Sequence, residues 1–316
     1  MIRLGSRRSP LALVQARTVA AALRAAGHEV QIVEVVTTGD RDRAAPDKAK
    51  WVTELERGLV AGDVDLAVHS AKDVPGDLPE GLELVAASVR EDFRDVLIGA
   101  PSLDALPDGA RVGTASLRRA AQLLAARPDL TIVAARGNVD TRLARLEPGH
   151  ADRLDAIVLA AAGLARLGRT PADVVALEGP AFVAAPGQGT LTIEGRTGDA
   201  ASAAAAAVIH DDGNWACLRA ERAVARALGA DCTSAVGAHC RSVDGGYALT
   251  GFVGAPDGSG WALDEREGDD PEALGALVAE RLLRAGGAEL LAAARAAVDP
   301  AASIAEQHAG ETDAPA

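Results

Sequence analysis

Aromatic residues are scarce in this chain: three Phe, three Trp and one Tyr make up 2 % of its 316 residues. With hydrophobic residues at 48 %, the cores must be assembled from Ala, Val and Leu rather than around large rings. No apolar run reaches the length of a membrane-spanning helix, so no membrane partner is expected. Met1-Ile2-Arg3-Leu4-Gly5 lacks the apolar stretch of a signal peptide, which points to a cytoplasmic protein. Three cysteines, Cys217, Cys232 and Cys240, stand at irregular spacing and supply neither a disulfide framework nor a zinc pattern, so no metal is expected. Positive charge is in deficit as well. The formal net charge of −13 argues against general nucleic-acid binding. Among 32 basic residues only Lys48, Lys50 and Lys72 are lysines. The helices carry no long apolar seam, so a monomer is the expectation.

What is present is organised around His69-Ser70-Ala71-Lys72-Asp73-Val74-Pro75. The run follows Val64-Asp65-Leu66-Ala67-Val68, an apolar stretch of strand length. Pro75, Gly76 and Pro79 forbid a long helix after it, so it reads as a loop at a strand's C-terminal end, where open α/β sheets bind ligands. The loop offers a carboxylate, Asp73, beside an ammonium, Lys72. Such a group suits chemistry that passes through a cation, although the same pair also fits a solvated turn.

Ile2 to Gly5 reads as a strand, followed by a helix from Pro10 to about Ala26 with Ser9 as its N-cap. Arg7 and Ser9 thus sit at a helix N-terminus, which favours an anion, or else act only as a solvated charge and a cap. Val30 to Val36 is the next strand. The charged, Pro-interrupted segment 41–50 reads as a mobile loop. After a charged connection at Ser88 to Arg94, three predicted strands end in arginine-bearing turns. These are Thr114-Ala115-Ser116-Leu117-Arg118-Arg119, Arg136-Gly137-Asn138-Val139-Asp140-Thr141-Arg142, and Ala161-Ala162-Gly163-Leu164-Ala165-Arg166. Strands in parallel would deliver these guanidiniums to one end of a sheet, and Arg forks match carboxylates or phosphates. Neither a dinucleotide fingerprint nor GxxxxGK[ST] occurs, which leaves a ligand with several carboxylates.

Ala184 to Gly189 is a turn, and the strand after it, Thr190 to Glu194, would rejoin the first sheet. Two helices, three alternating strands and two further helices then read as an α+β unit. The resulting expectation is an α/β protein: domain 1 over 1–88 with 184–207, domain 2 over 89–183, domain 3 over 208–298, and a disordered tail over 299–316. Cys217 should pack inward, whereas Cys232 lies on a polar loop. There it is either an ordinary thiol or the anchor of a covalent group.

Together these motifs, with Ser6-Arg7-Arg8-Ser9-Pro10-Leu11-Ala12-Leu13 and Gly187-Gln188-Gly189, resemble the porphobilinogen deaminase family in order and over nearly the whole chain. The resemblance implies two periplasmic-binding-protein-like sheet domains joined by paired crossovers around a cleft, plus the smaller C-terminal domain. It also implies a transferase that joins four porphobilinogen units head to tail, releasing ammonia each time, to give hydroxymethylbilane for tetrapyrrole synthesis. The product grows on a dipyrromethane cofactor held through a cysteine thioether, for which Cys232 is the match. By the same carry-over Asp73 is the catalytic carboxylate. Lys72, Ser70, Thr114, Ser116, Arg118, Arg119 and Gly163 bind cofactor, and Arg7, Ser9, Arg136, Arg142, Arg166 and Gln188 bind substrate or the growing chain. The sequence departs from the family at the cysteine loop, where Asp231 precedes Cys232 and Ala235 replaces a proline. It departs again at Asp47-Lys48-Ala49-Lys50-Trp51, a shortened version of a glycine-rich segment. Two rival readings share the cleft without the chemistry: a carboxylate-binding protein, and a family member unable to load the cofactor.

Overall fold

A computed structural model describes residues 1–36, 52–230 and 234–297. Lys48 and the rest of segment 41–50, Cys232 and the tail 299–316 lie outside the described residues.

The chain opens with β1 (Ile2–Arg7), α1 (Pro10–Ala25), β2 (Val30–Val35), α2 (Thr53–Ala61), β3 (Leu66–Ser70) and β4 (Leu82–Ala87). Ser9 caps α1 by accepting the Ala12 N–H at 3.3 Å, Pro10 occupies the first turn, and Gly27 ends the helix at φ +92°. There follow β5 (Asp95–Ile98), β6 (Arg111–Gly113), α3 (Leu117–Ala126), β7 (Thr131–Val133), α4 (Val139–Leu143), β8 (Ala156–Ala160), α5 (Ala161–Arg166) and β9 (Val174–Ala176). β10 (Leu191–Arg196) and α6 (Ala200–Ala206) lead to α7 (Asp212–Ala227), β11 (Val236–Val243), β12 (Gly246–Gly254), β13 (Trp261–Gly268), α8 (Pro271–Leu282) and α9 (Ala288–Ala296).

The first sheet has the order β2-β1-β3-β10-β4 and the second β7-β6-β8-β5-β9. In each, three neighbouring strands are parallel and the fourth runs against them: β10 is antiparallel to β3 and β4, and β5 to β8 and β9. The antiparallel strand is in both cases the one that arrives directly from the other sheet. The chain therefore crosses between the sheets twice, through residues 88–94 and through residues 184–190. The fold class is the expected α/β one, with two sheet units and a third unit built on the antiparallel order β11-β12-β13.

The cores are aliphatic. Leu4, Leu66, Val68 and Ile193 pack against Val19 and Leu23 of α1, and Leu97, Val112, Leu123 and Val158 fill the second unit. Phe252 is the largest fully buried side chain. In the third unit Cys217 packs inward as expected, in one cluster with Cys240, Leu249, Val278 and Leu282. Gly275 lets α8 approach α7, since a Cβ there would lie 2.4 Å from the Ala220 carbonyl oxygen.

One buried carboxylate fastens the third unit to both crossings. Glu221 on α7 is fully buried and accepts Arg90 Nη1 at 2.7 Å and Nη2 at 3.0 Å, the latter two atoms coming from the first crossing. From the second crossing it accepts the Gly187 N–H at 2.7 Å, and from β11 the Cys240 N–H at 2.7 Å. Arg90 Nε donates to Asn214 Oδ1 at 2.9 Å, while Asn214 Nδ2 donates to the Ser88 carbonyl at 2.6 Å and to Thr190 Oγ1 at 3.0 Å.

Two local expectations change. His69 and Ser70 are strand residues, not loop, because β10 continues the ladder to Ser70 opposite Leu191. The second sheet is mixed rather than parallel, and the short β9, unsignalled in the sequence, completes it beside β5. Among the described residues no helix is long and apolar enough to cross a membrane.

Replacing Arg90 by Leu strips the buried Glu221 of its counter-charge. Urea denaturation is expected to show a loss of about 3–5 kcal/mol in unfolding free energy, the usual cost of breaking a buried pair from one side. A loss under about 1 kcal/mol would show that Glu221 does not depend on it.

Candidate active site

β3 ends where β10 stops pairing with it, and the chain turns through a single 3-10 turn, Ala71–Asp73. That turn brings Lys72 and Asp73 to the C-terminal end of the first sheet. In the second unit the parallel β6, β7 and β8 end on the same side, so their three following turns are neighbours. Ser116 caps α3 by accepting the Arg119 N–H at 3.4 Å, and its own N–H donates to Thr114 Oγ1 at 3.1 Å. These bonds set Arg118 and Arg119 on the first turn of α3, both buried.

Two buried guanidiniums side by side require an anion. Asp95, the first residue of β5 and 5 % exposed, provides it, with Arg118 Nη1 at 2.7 Å from Oδ2 and Arg119 Nη2 at 2.7 Å from Oδ1. Burial alone would lift the Asp95 carboxyl, but the two guanidiniums outweigh it and hold the group well below the usual carboxylate range. Gln188 from the second crossing extends the network. Its Nε2 donates to Asp95 Oδ1 at 2.9 Å and to the Phe93 carbonyl at 2.7 Å, and its Oε1 accepts Lys72 Nζ at 3.1 Å. An unbroken chain of polar contacts thus runs from Lys72 in the first unit to Arg118 and Arg119 in the second.

Two cavities open on this network. The larger, about 230 Å³, is lined by Lys72, Arg118, Arg119 and Arg222 against a single carboxylate, Asp73. Ser116, Gln188, Ala230 and Ser234 also face it, so all three units contribute walls. The smaller, about 70 Å³, is lined by Arg7, Lys72 and Arg166, again with Asp73 as its one carboxylate, and by Ser9, Ser70 and Gly163. Lys72 and Asp73 are the charged residues common to both. Each cavity is therefore built for anions and has one negative group placed where the two meet.

Burial pushes the Lys72 ammonium down to about 8, with Arg119 adding to the effect and Asp73 and Asp95 opposing it. Burial likewise pushes Arg142 down to about 10, helped by Arg119 and opposed by Asp73, so its guanidinium sits in the field of the junction although it lines neither cavity. Arg142 Nε donates to the Gly137 carbonyl at 2.9 Å. Arg166 is steadied by the crossings, its Nε 3.1 Å from Glu91 Oε1 and its Nη2 2.8 Å from the Gly189 carbonyl. Arg136 is exposed and lines neither cavity, and Thr114 is buried in its turn. Ser70 and Gly163, grouped in the sequence with Lys72 and Ser116, face the smaller cavity, and Gln188, grouped with Arg7, faces the larger. Asp95 and Arg222 belong to no motif in the sequence. Their only signal is a charge inside an apolar pattern: an acid opening the strand Asp-Val-Leu-Ile, and an arginine one helical turn beyond the buried Leu218.

Among the described residues, no cluster of three or more His, Cys, Asp or Glu is placed to hold a metal ion. A cluster of cations around one carboxylate fits an organic polyanion.

A family model described as "Porphobilinogen deaminase, dipyromethane cofactor binding domain" matches residues 2–204, and one described as "Porphobilinogen deaminase, C-terminal domain" matches residues 215–284. Porphobilinogen deaminase of Thiobacillus denitrificans is 45% identical over 301 residues, covering 92% of this chain and 97% of its own. That of Rubrobacter xylanophilus is 44% identical, covering 91% and 95%, and that of Deinococcus radiodurans 42% identical, covering 93% and 99%. Among solved structures, a periplasmic substrate-binding protein of an ABC transporter from Coxiella burnetii is 15% identical with a TM-score of 0.41, covering 67% of this chain and 93% of its own.

The depressed Lys72 gives a pH dependence with a definite sign. In the folded, ligand-free protein the ammonium loses its proton near 8 instead of at its ordinary 10.5, so an anion that needs that charge binds less well as pH rises through about 8. Calorimetric titration of the cofactor-free polypeptide with a small dicarboxylate should weaken about 10-fold per pH unit above that point, and Lys72→Arg should flatten the profile. A wild-type affinity unchanged between about pH 7 and 10, a range that spans the shifted titration and stops short of the ordinary one, would contradict the assignment.

Proposed function

The chain belongs to the porphobilinogen deaminase family, and on that premise we propose how this site works as a hydroxymethylbilane synthase. The reaction condenses four porphobilinogen molecules head to tail, releasing ammonia each time, and gives hydroxymethylbilane for tetrapyrrole and haem synthesis. The observation that carries the site reading is that two cation-lined cavities meet at one carboxylate, Asp73.

The larger cavity suits the dipyrromethane. Its four cations exceed what Asp95 neutralises, which leaves positive charge for the acetate and propionate groups of two pyrroles. Lys72, Ser116, Arg118, Arg119 and, beyond the sequence reading, Arg222 would hold them. Ala230 and Ser234 bracket Cys232 in the chain and line this cavity, which supports Cys232 as the thioether anchor. When bound, the dipyrromethane supplies the primer for chain growth.

The smaller cavity suits the incoming unit. Arg7 and Arg166 would take its carboxylates, with Ser9, Ser70 and Gly163 shaping the wall. Arg142 flanks the junction, and Arg136, on the exposed side, is left for the growing chain. Loss of ammonia from porphobilinogen breaks a C–N bond and leaves a cation delocalised into the pyrrole ring. The new C–C bond then forms, and the displaced α-proton leaves with ammonia as ammonium. Asp73 faces the charge through the pyrrole N–H and accepts and returns protons there. Partly buried where the two cavities meet, that fixed carboxylate faces the cation at a lower effective dielectric than water and stabilises it more than a carboxylate in solvent would. Lys72, tied to Gln188, holds the neighbouring carboxylates in place without collapsing onto Asp73.

Asp73→Asn keeps the shape and removes the charge. The variant is expected to fold normally by circular dichroism and to lose turnover by about 100-fold or more, the scale seen when one preorganised electrostatic group is removed. Wild-type turnover in the folded variant would take Asp73 out of its role.

A further inference from the structure

The buried stripe of α1 runs through Ala16, Val19, Ala20 and Leu23, and it also contains Gln15, 5 % exposed. A primary amide on such a stripe is costly unless something hydrogen-bonds it. Among the described residues, the Gln15 side chain has no hydrogen-bond partner, and it lines the smaller cavity beside Arg7, Ser9, Lys72, Asp73 and Arg166. The residue is thus largely buried while its amide opens to the ligand space.

The hydrogen-bonding balance of that cavity says what the amide meets. Arg7, Arg166 and Lys72 are donors only, so the charge of this wall favours ligand carboxylates. Side-chain acceptors are fewer: Asp73 is the single charged one, the Gln15 carbonyl is the single amide oxygen, and the remaining two are the hydroxyls of Ser70 and of Ser9, the latter already accepting the Ala12 N–H. The incoming unit carries one group that needs an acceptor and is repelled by every cation in the wall, its aminomethyl ammonium. We propose that Gln15 Oε1 accepts a hydrogen bond from this ammonium, so that Gln15 determines specificity for the amine-bearing monomer. The proposal rests on the deaminase reading, with the smaller cavity as the monomer's site.

Steady-state kinetics on the cofactor-loaded enzyme test it. Gln15→Leu, which suits an apolar stripe, is expected to raise KM for porphobilinogen about 10- to 100-fold, as for loss of a hydrogen bond to a charged group. Gln15→Glu keeps an acceptor and should hold KM at or below the wild-type value near neutral pH. Against the hydroxymethyl analogue of porphobilinogen, which lacks the ammonium, the wild type's preference for the amine should shrink by a similar factor in Gln15→Leu. An unchanged KM in Gln15→Leu, or a Gln15→Glu enzyme as impaired as Gln15→Leu, would overturn the proposal. A wild-type protein that does not consume porphobilinogen would instead overturn the deaminase reading, which separates the two failures.

Discussion

Everything at the site depends on one carboxylate serving two guanidiniums. Asp95 lies between Arg118 and Arg119, with all three buried. Without it the two cations would repel each other and turn outward to solvent. With two carboxylates in its place they would be neutral and of no use to an anionic ligand. A single shared acid fixes both forks and leaves the surplus positive charge that a polycarboxylate needs. Gln188 passes the constraint on. Its orientation is dictated by its neighbours, amide nitrogen to Asp95 and amide oxygen to Lys72, and the opposite orientation would set like partial charges together.

The position of this network in the fold is what makes it a site. Asp95 directly follows the first crossing, Gln188 belongs to the second, and the walls of the larger cavity come from all three units. Glu221 then ties the third unit to both crossings through Arg90 and the Gly187 N–H. Gly187 permits this closeness: its backbone has φ +75°, and a Cβ there would come within 2.7 Å of Ala71 Cβ, on the turn that carries Lys72 and Asp73. The two buried acids thus divide the work, Asp95 setting the charge of the cleft and Glu221 holding the unit that carries Cys232 against it.

Much of this was legible in the sequence, for physical reasons. Strands and helices with strong periodicity or clear caps, such as Ser9-Pro10 and Ser116, fall where their local chemistry puts them. The arginine-bearing turns converge because β6, β7 and β8 are parallel. What escaped is what depends on contact between distant segments. Asp95, Arg222 and Gln15 look in sequence like single polar interruptions of apolar patterns, and nothing local says whether such a residue meets a partner or a cavity. The division of the lining residues between two cavities escaped for the same reason, since Ser70 and Gly163 are separated by the whole first crossing before they share a wall. The strand extension to His69 and Ser70 needed β10, more than a hundred residues later, to be seen.

The most direct measurement is the intact mass of the purified protein beside that of Cys232→Ser. The account predicts that the wild type exceeds its polypeptide mass by two pyrrole units and gains further units on incubation with porphobilinogen, while the mutant shows the bare chain throughout. Bare polypeptide in both, unchanged after porphobilinogen is added, would contradict it: the cations around Asp73 would then bind their ligand without building on it.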